Sequence, residues 1–412
     1  MAASSSTALP SAPAPKTYSR LERFIRRWQY VGFALLRTLW PNFQFRKFGM
    51  ITRFTDVQEA LSRPDIFQVT TAPMMDPSVG PFMLGRDNTI FNQRDKGIMR
   101  ALLSPEDLPQ VRKDVRTILD EIVAKHRSAG RMELVEDVTR ECPAVFTQRY
   151  FGFSDASIEQ IKAWSFHTQW DMFHNIGRDE EVHRKNVRAG KEMHALLSES
   201  LPKKRAALAR GGTPGDALDR LLQWHFPPET GFDEARILTN IMGLLVGSIE
   251  TTSQAAVQIV EEFLRRPRWL AKAQECALGD DDDLWKRYCW EAMRFNPITP
   301  GVFRICAENY TLARGTLRRR TFRKGASVFI MTASAMRDGR QLPWASRFRV
   351  NRPDYHYMHM GYGLHTCLGD QISFVQIPEI VRAIILLPNL HQLSPLEFGE
   401  GDFPRRMEVG FG

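Results

Sequence analysis

The sequence predicts one mainly α-helical domain with small β-sheets, and three observations support this fold class. From Leu21 to about Leu264, apolar residues recur at i, i+3 and i+4, which is typical of amphipathic helices. Beyond Pro297 the pattern changes to short strands joined by basic turns. No internal repeat and no clear linker divides the chain, so residues 17–412 are predicted to form a single domain. Residues 1–16, rich in Ala, Ser and Pro, are predicted to be a disordered tail.

The composition narrows the class of protein. Hydrophobic residues make up 43% of the 412 residues and charged residues 25%, which is typical of a folded soluble protein. The net charge is +9, but the basic residues are spread along the chain without a nucleic-acid-binding motif, which argues against nucleic acid as a partner. The charge favours an acidic partner protein instead. The five cysteines form no CxxC pair, which indicates a reducing compartment, and we expect a cytoplasmic protein.

The N-terminal region is not expected to cross a membrane. Residues 1–20 lack the apolar core of a secretory signal, and no run of about eighteen apolar residues occurs. Residues 23–40 have the pattern of a basic amphipathic helix. Such a helix could lie on a membrane surface, although packing on the domain is the favoured interpretation.

The longest apolar helical segment, residues 237–266, is apolar nearly all round and is predicted to run through the middle of the domain. It contains Gly247, Glu250 and Thr251, with Gly247 and Thr251 on one face at i and i+4. The Thr251 hydroxyl could simply bond back to the Gly247 carbonyl. Alternatively, these residues border a small-molecule site to which they deliver protons. Glu250 is expected to be buried without an obvious partner.

The segment MGYGLHTCLGD, residues 360–370, contains three glycines and one cysteine within eleven residues. Gly361 and Gly363 permit positive φ angles, and Gly369 leaves room for a large flat group beside the backbone. A helix is predicted to begin around Leu368, so its free amides would favour the thiolate of Cys367. Such a thiolate could ligate a metal or act as a nucleophile, with His365 as a candidate base. The glycine-lined space favours a planar cofactor.

A third motif, EAMR, places Glu291 and Arg294 three residues apart on one helix face, and Arg304 and Arg352 follow later in the chain. The pair alone is common on exposed helices. A buried Glu291 held by Arg294 and Arg352 would instead form an ionic node that depends on every member.

Together the three motifs resemble the signatures of the cytochrome P450 superfamily, the cysteine-ligated haem monooxygenases, in order and rough separation. The resemblance covers the chain from about residue 50 and implies a haem b between the central helix and the cysteine-loop helix. It implies that Cys367 is the proximal iron ligand, whose electron donation favours O–O cleavage. Gly247 would border the oxygen site, with Glu250 and Thr251 as an acid–alcohol pair that relays protons. Glu291, Arg294 and Arg352 would form the structural triad behind the haem.

The same resemblance implies where the haem edges bind. His365 and Arg304 fall at propionate-binding positions, as does Arg100, and Gly369 belongs to the cofactor-binding loop. Lys96 stands where a histidine or tryptophan is usual. Its positive charge is expected to preserve the pairing with a propionate. Two further departures are Met360, where an aromatic residue is usual, and Ser248, which replaces a glycine and is expected to add a hydrogen bond near dioxygen.

The implied activity is a monooxygenase that splits dioxygen with two electrons from a separate ferredoxin or flavodoxin, because the chain carries no flavin or iron–sulfur motif. The partner is expected to dock with help from Arg94, Lys96, Arg112 and Lys113. The loop Thr71–Leu84 is expected to contact an apolar small-molecule substrate. Two alternatives stay open: a peroxygenase or lipid hydroperoxide isomerase, and a non-catalytic haem-binding protein.

Overall fold

The computed structural model describes residues 8–412, with the side chains of residues 20–27 outside the description. The prediction of a mainly helical single domain with small sheets is confirmed. The α-helices of the described residues are α1 Arg20–Leu39, α2 Phe54–Leu61, α3 Ala72–Met75, α4 Lys96–Leu102, α5 Leu108–His126, α6 Glu141–Phe151, α7 Ile158–Gln169, α8 Glu180–Ala209, α9 Ala217–Gln223, α10 Glu234–Ser248, α11 Glu250–Leu264, α12 Pro267–Leu278, α13 Asp282–Phe295, α14 Thr332–Ala335 and α15 Asp370–Ile385.

The strands are short, and they form four small sheets among the described residues. The largest has five strands in the order β1-β2-β8-β5-β3, and the smaller sheets pair β12 with both β4 and β9, β6 with β7, and β10 with β11. The strands are β1 Asn42–Phe45, β2 Phe48–Ile51, β3 Phe67–Gln68, β4 Arg131–Glu133, β5 Val302–Cys306, β6 Tyr310–Leu312, β7 Arg320–Phe322, β8 Ser327–Ile330, β9 His391–Gln392, β10 Glu397–Phe398, β11 Pro404–Arg406 and β12 Glu408–Gly410.

Two apolar cores hold these elements together. The larger one is helical and includes buried residues of α10, α11, α13 and α15, while the smaller one lies under the five-stranded sheet and α2. Helix α15 packs against α5 and α11, and α13 packs against α11. The cysteine segment, which leads into α15, is thereby fixed beside the central helices.

The central helix is interrupted, which differs from the single helix predicted over residues 237–266. Helix α10 ends at Ser248 and α11 begins at Glu250, with Ile249 between them. The Thr251 hydroxyl donates to the Gly247 carbonyl at 2.6 Å, and the Ser248 hydroxyl donates to the Leu245 carbonyl at 3.1 Å. Side-chain hydroxyls that bond to carbonyls of the preceding turn commonly bend helices. Away from the break the helix is mostly buried, as predicted, whereas Gly247 at the break is exposed and Ser248 and Thr251 are partly exposed.

The N-terminal part of the chain packs on the domain. Helix α1 is fixed by Arg37, whose guanidinium donates to the carbonyl and hydroxyl of Ser334 on α14, at 3.0 and 2.9 Å. The disordered tail was predicted over residues 1–16, of which residues 1–7 lie outside the described residues. Residues 8–16 contact the domain, with the Glu400 amide donating to the Ala14 carbonyl at 3.0 Å. Among the described residues, no helix is long and apolar enough to cross a membrane.

Candidate functional site

The cysteine segment forms a tight loop before α15. The Cys367 amide donates to the Met360 carbonyl at 2.7 Å, which closes the loop. Gly361 and Gly363 have φ angles of +80° and +70°, so both occupy the left-handed region that disfavours other residues. Helix α15 begins at Asp370, three residues after Cys367 and two later than predicted. The sulfur therefore lies just ahead of a helix N-terminus.

The protonation of the free thiol differs from the expectation. Burial raises the pKa of the Cys367 thiol, and the backbone amide of Gly369 together with Lys96 and Arg100 opposes this effect without reversing it. The protein alone therefore does not hold Cys367 as a thiolate. Binding to a metal favours loss of the thiol proton, so this environment fits a ligand sulfur better than a nucleophile that acts unaided.

Lys96, at the start of α4, contacts the cysteine loop directly. Its ammonium donates to the carbonyls of Leu364 and Thr366, the latter at 2.9 Å. These carbonyls belong to the residues three and one before Cys367. Lys96 thus binds the backbone of the loop, whereas the sequence analysis expected it to pair with a propionate.

His365 and Arg304 meet around one carboxylate that the sequence analysis did not identify. His365 Nε2 lies 2.8 Å from Asp87 Oδ1, and Asp87 also interacts electrostatically with Arg304 on β5. Burial lowers the pKa of Arg304 to about 10, and Asp87 opposes the shift. Within the described part of the chain, Arg304 forms no ion pair within 4 Å, and its one side-chain hydrogen bond goes to the Phe303 carbonyl at 2.8 Å. An enclosed cation with spare donors fits an anionic ligand group.

Arg100 lies on the same helix as Lys96 and is exposed. It is close enough to influence the Cys367 thiol electrostatically. Its charge is therefore available at the edge of the cysteine loop.

The predicted ionic node is present as a buried cluster. The Arg294 guanidinium donates to both Glu291 carboxylate oxygens, at 2.7 and 2.8 Å, and Arg352 Nε donates to Glu291 Oε1 at 3.3 Å. Both Glu291 and Arg294 are fully excluded from solvent. The Tyr357 hydroxyl donates to Glu291 Oε2 at 3.1 Å, an additional member that the sequence analysis missed. The cluster joins α13 to the segment that precedes the cysteine loop.

Glu250 has a partner, so the expectation of an unpaired buried acid was wrong. Arg140 Nη2 donates to Glu250 Oε1 at 2.6 Å, and the side chains are 0% and 2% exposed, respectively. Arg140 also donates to Glu136 Oε1 at 2.6 Å. Burial raises the pKa of Glu250, and Arg140 opposes this shift. Burial lowers the pKa of Arg140, but the two carboxylates outweigh it and the net shift is upwards.

Thr251 and Ser248 have defined partners as well. The bond from Thr251 to the Gly247 carbonyl is the structural alternative that the sequence analysis had kept open. The Ser248 hydroxyl lies 2.8 Å from the Thr147 hydroxyl on α6, so it is directed at a neighbouring helix. Among the described residues, the side chains of Glu250 and Thr251 share no hydrogen bond, because the acid accepts from Arg140 and the hydroxyl donates to Gly247.

Two glycines leave space where a flat group would need it. A Cβ built on Gly247 or on Gly369 meets no atom of the described residues within 4 Å. No group of three or more His, Cys, Asp or Glu within the described range could hold a metal ion. A single cysteine with glycines and cations around it fits a metal that arrives with its own equatorial donors, as in haem.

The loop Thr71–Leu84 packs closely against the central helix. A Cβ added to Gly243 of α10 would lie 2.3 Å from the Phe82 ring, so only glycine accommodates this contact. Met75, Phe82 and Met83 are buried, whereas Met74, Pro81 and Leu84 are partly exposed. Asn186 of α8 donates to the Met74 carbonyl at 2.9 Å and ties the loop to a second helix.

Three of the four residues expected to dock a partner are engaged within the protein. Arg94 pairs with Asp95 at 2.8 Å, Lys96 binds the cysteine loop, and Arg112 pairs with Asp282 at 3.1 Å and with Glu379. Lys113 is exposed. The docking role of these four residues stays a prediction, and Lys113 is the one whose charge has no partner within 4 Å among the described residues.

Sequence reasoning missed Arg140, Asp87 and Tyr357. Arg140 is 110 residues from Glu250, Asp87 is 278 from His365 and Tyr357 is 66 from Glu291. One signal was available: a buried acid in an apolar helix requires a cation or a hydrogen-bond donor. That rule predicts a partner without identifying it.

Comparisons with known proteins agree with this geometry. Residues 58–387 match the family model described as "Cytochrome P450". The chain is 23% identical over 362 residues to "Cytochrome P450 107B1" of Saccharopolyspora erythraea, covering 84% of this chain and 83% of the relative. It is 23% identical over 361 residues to "Mycinamicin IV hydroxylase/epoxidase" of Micromonospora griseorubida, covering 85% and 86%. A solved structure of P450BioI in complex with a hexadec-9Z-enoic acid ligated acyl carrier protein superposes with a TM-score of 0.79 at 17% identity, covering 94% of this chain and 100% of that one.

Proposed function

Because this chain belongs to the cytochrome P450 family of haem monooxygenases, we propose that it oxidises an apolar small molecule with dioxygen and two electrons from a separate redox protein. The observation that carries the proposal is the Cys367 loop, closed by backbone hydrogen bonds beside a glycine-lined space. The break between α10 and α11 supplies the second half of the site, with Glu250 and Thr251 at its edge.

The residues around the loop fit haem b. Cys367 would hold the iron through its sulfur, and Gly369 would leave room for the porphyrin beside the backbone. Arg304 and Arg100 would bind the propionates, with His365 next to them and oriented by Asp87. Lys96 would act differently, by holding the loop carbonyls while its charge remains near the sulfur. When bound, the haem supplies the iron chemistry that activates dioxygen.

Proton delivery is assigned to Glu250 and Thr251. Glu250 is a buried acid whose pKa is raised by burial, which suits a group that takes up and releases protons. Arg140 links it to Glu136, whose side chain is 32% exposed. The Arg140 guanidinium has no acceptor, so it would orient Glu250 towards the side of the protein that solvent reaches and would not itself carry the proton. The Thr251 hydroxyl, one residue further along α11, would pass a proton towards dioxygen beside Gly247.

The electron donor is proposed to be an acidic ferredoxin or flavodoxin. Lys113 on α5 is exposed, and Arg116 on the same helix is half-exposed while it pairs with Glu379 at 2.8 Å, so both would offer positive charge on the helix that packs against α15. Helix α15 follows Cys367 directly. A donor bound there would approach the haem from the sulfur side, and charge attraction would speed its association.

The substrate is proposed to lie against the partly exposed side chains of the loop Thr71–Leu84. Met74, Pro81 and Leu84 are apolar, and apolar linings favour apolar ligands. The names of two compared proteins mention a mycinamicin and a hexadecenoic acid bound to a carrier protein. These names do not identify a substrate of this chain, so we propose only a class of substrate, an apolar small molecule.

The test supplies candidate substrates under two conditions to the haem-loaded protein. One contains a surrogate reductase pair and isotopically labelled dioxygen, and the other contains peroxide alone. We expect labelled product only under the first condition. Product from peroxide alone, without product from dioxygen, would indicate the peroxygenase or isomerase reaction instead.

Cys367→Ser provides the matched control. We expect it to abolish the red-shifted Soret band of the ferrous–carbonyl, thiolate-ligated haem. Cys276→Ser, at a partly exposed cysteine outside the loop, should keep that band. A Cys367→Ser protein with the unchanged band would remove Cys367 from the site, and a well-folded protein that takes up haem but never forms product would favour a non-catalytic haem protein.

A further inference from the structure

We propose that one face of the protein binds the surface of an anionic lipid bilayer. This face, called here the hairpin face, comprises the exposed side of α1 with Trp40, the turn between β1 and β2, and the loop between β6 and β7. The inference rests on its exposed apolar and basic side chains, and it is independent of the proposed reaction.

The C-terminal half of α1 exposes a straight apolar row. Val31, Leu35 and Leu39 recur at i, i+4 and i+8 and are 50%, 56% and 58% exposed. Arg37, on the opposite side of the helix, is buried against α14. Trp40, at the helix end, is 61% exposed. The helix thus packs on the domain through one side and presents apolar side chains to solvent on the other.

The β1–β2 turn, which follows α1 in the chain, also exposes apolar and basic side chains. Phe45 and Phe48 are directly opposite each other in the antiparallel pair, and they are 62% and 41% exposed. Arg46 and Lys47, both exposed, form the turn between them. The Arg46 guanidinium lies 5.3 Å from the centre of the Phe45 ring. Two aromatic rings and two cations therefore share the tip of one hairpin.

The β6–β7 loop lies beside that hairpin. Arg320 donates to the Gln44 carbonyl at 2.8 Å, and the Arg323 amide donates to Gln44 Oε1 at 2.9 Å. Leu317, at the loop tip, is fully exposed, and the neighbouring Arg319 is exposed too. An isolated apolar side chain surrounded by arginines thus repeats the chemistry of the hairpin tip.

The two loop segments of the hairpin face carry charge of one sign. Residues 42–53 contain three Lys or Arg and residues 309–325 contain six, and neither segment contains Asp or Glu. Among the described residues, Arg318 is the only one of these nine that forms an ion pair, with Asp56 at 3.0 Å. The other cations are available to an external anion.

This combination fits a lipid surface. Aromatic rings favour the headgroup region of a bilayer, aliphatic side chains enter the acyl boundary, and Lys and Arg are attracted to anionic lipids. The apolar row, the Phe45–Phe48 pair and Leu317 would insert shallowly while the cations bind phosphate groups. The expected contact is peripheral, and it requires no membrane span.

The test measures sedimentation of the haem-loaded full chain with vesicles. We expect the protein to bind vesicles of phosphatidylcholine mixed with phosphatidylglycerol, to bind pure phosphatidylcholine vesicles far more weakly, and to lose binding as salt is added. The double substitutions Phe45→Ser with Phe48→Ser, and Arg46→Glu with Lys47→Glu, should each weaken binding by about tenfold or more. The ferrous–carbonyl spectrum checks that each variant is folded.

Arg210→Glu with Arg268→Glu is the matched charge control, because it changes two exposed arginines outside the hairpin face by the same total charge. It should bind vesicles like the unchanged protein. An equal loss in this control would attribute binding to net charge and overturn the proposal, as would absence of binding to the anionic vesicles. A dimer in solution that Phe45→Ser with Phe48→Ser dissociates, without vesicle binding, would assign the face to a second copy of the chain.

Discussion

Arg140 Nη2 and Glu250 Oε1 lie 2.6 Å apart and form an ion pair that is almost completely removed from solvent. Arg140 precedes α6 and Glu250 begins α11, so the pair links two helices at the break in the central helix. The same guanidinium binds Glu136, which is partly exposed. One arginine therefore connects the buried acid to a carboxylate that solvent reaches.

The first prediction concerns this connection. Glu250→Gln keeps a hydrogen-bond acceptor for Arg140 but cannot release a proton. We expect dioxygen-driven turnover to fall by about a hundredfold or more, since a positioned acid–base group contributes in that range. Turnover driven by peroxide should change much less, because proton delivery to dioxygen is bypassed. An equal loss under both conditions would indicate that Glu250 is structural only.

The second prediction concerns the hydroxyl of Thr251. Thr251→Ala removes the donor to the Gly247 carbonyl and should divert electrons to peroxide while haem incorporation stays intact. The measurement is product formed per electron consumed. Thr251→Ser, which retains the hydroxyl, should restore coupling. Equal product yield in Thr251→Ala and the unchanged protein would contradict the role of this residue.

The third prediction concerns the buried node. Glu291→Gln leaves Arg294 and Arg352 without their carboxylate in a site that solvent does not reach. Breaking a buried ion pair by removing one partner costs about 3–5 kcal/mol. We expect a matching decrease in the free energy of unfolding and a protein that is largely insoluble or haem-free.

The control for this node is Glu234→Gln, which breaks a pair with Arg205 in which both side chains are 52% exposed. Its effect on the free energy of unfolding should stay within about 1 kcal/mol. Soluble Glu291→Gln protein with full haem content and unchanged stability would contradict the assigned role.

The fourth prediction concerns Lys96. Lys96→Met leaves the carbonyls of Leu364 and Thr366 without their charged donor. We expect the ferrous–carbonyl spectrum to change from the form with a thiolate-bound iron to the form without thiolate ligation. This change should occur at a lower urea concentration than in the unchanged protein. Lys125→Met, at the exposed end of α5, should have no such effect. Identical urea sensitivity of Lys96→Met would show that the loop does not depend on this lysine.

The fifth prediction concerns stability in acid. Burial lowers the pKa of His167 and His174 to about 4 and that of His359 to about 3. In the unfolded chain these histidines bind protons with a pKa near 6.5. The contribution that their neutral, buried forms make to the free energy of unfolding is therefore fully present above that pH. It is lost as the pH falls towards the folded-state pKa values, at up to about 1.4 kcal/mol for each pKa unit.

The measurement is the midpoint of urea unfolding as a function of pH. His359→Gln preserves a donor to the Trp290 carbonyl and should flatten the decrease below about pH 6.5. His391→Gln, at an exposed position, should leave the slope unchanged. A slope in His359→Gln equal to that of the unchanged protein would contradict the assignment.

Local features of the fold could be predicted from the sequence. The strands β5 to β8 lie beyond Pro297, where the pattern indicated short strands joined by basic turns. Glu291 and Arg294 could be paired because three residues on a helix bring them to one face. Such relationships depend only on spacing along the chain.

Long-range partners could not be predicted. Arg140 reaches Glu250, and Lys96 reaches the cysteine loop, only because helices far apart in sequence pack together. The break at Ile249 also depends on packing, since Ser248 bonds to Thr147 on α6. Periodicity describes one element at a time, so it identifies a buried acid but not the cation opposite it.

The cluster around Glu291 has a consequence for biosynthesis. Glu291 and Arg294 are made well before Arg352 and Tyr357, yet the carboxylate needs all of them to be satisfied. The segment that carries Cys367 is thus anchored only when nearly the whole polypeptide has left the ribosome. We therefore expect haem to be captured late in biosynthesis, and chains that terminate before residue 352, which lack Cys367 as well, should be unable to retain it.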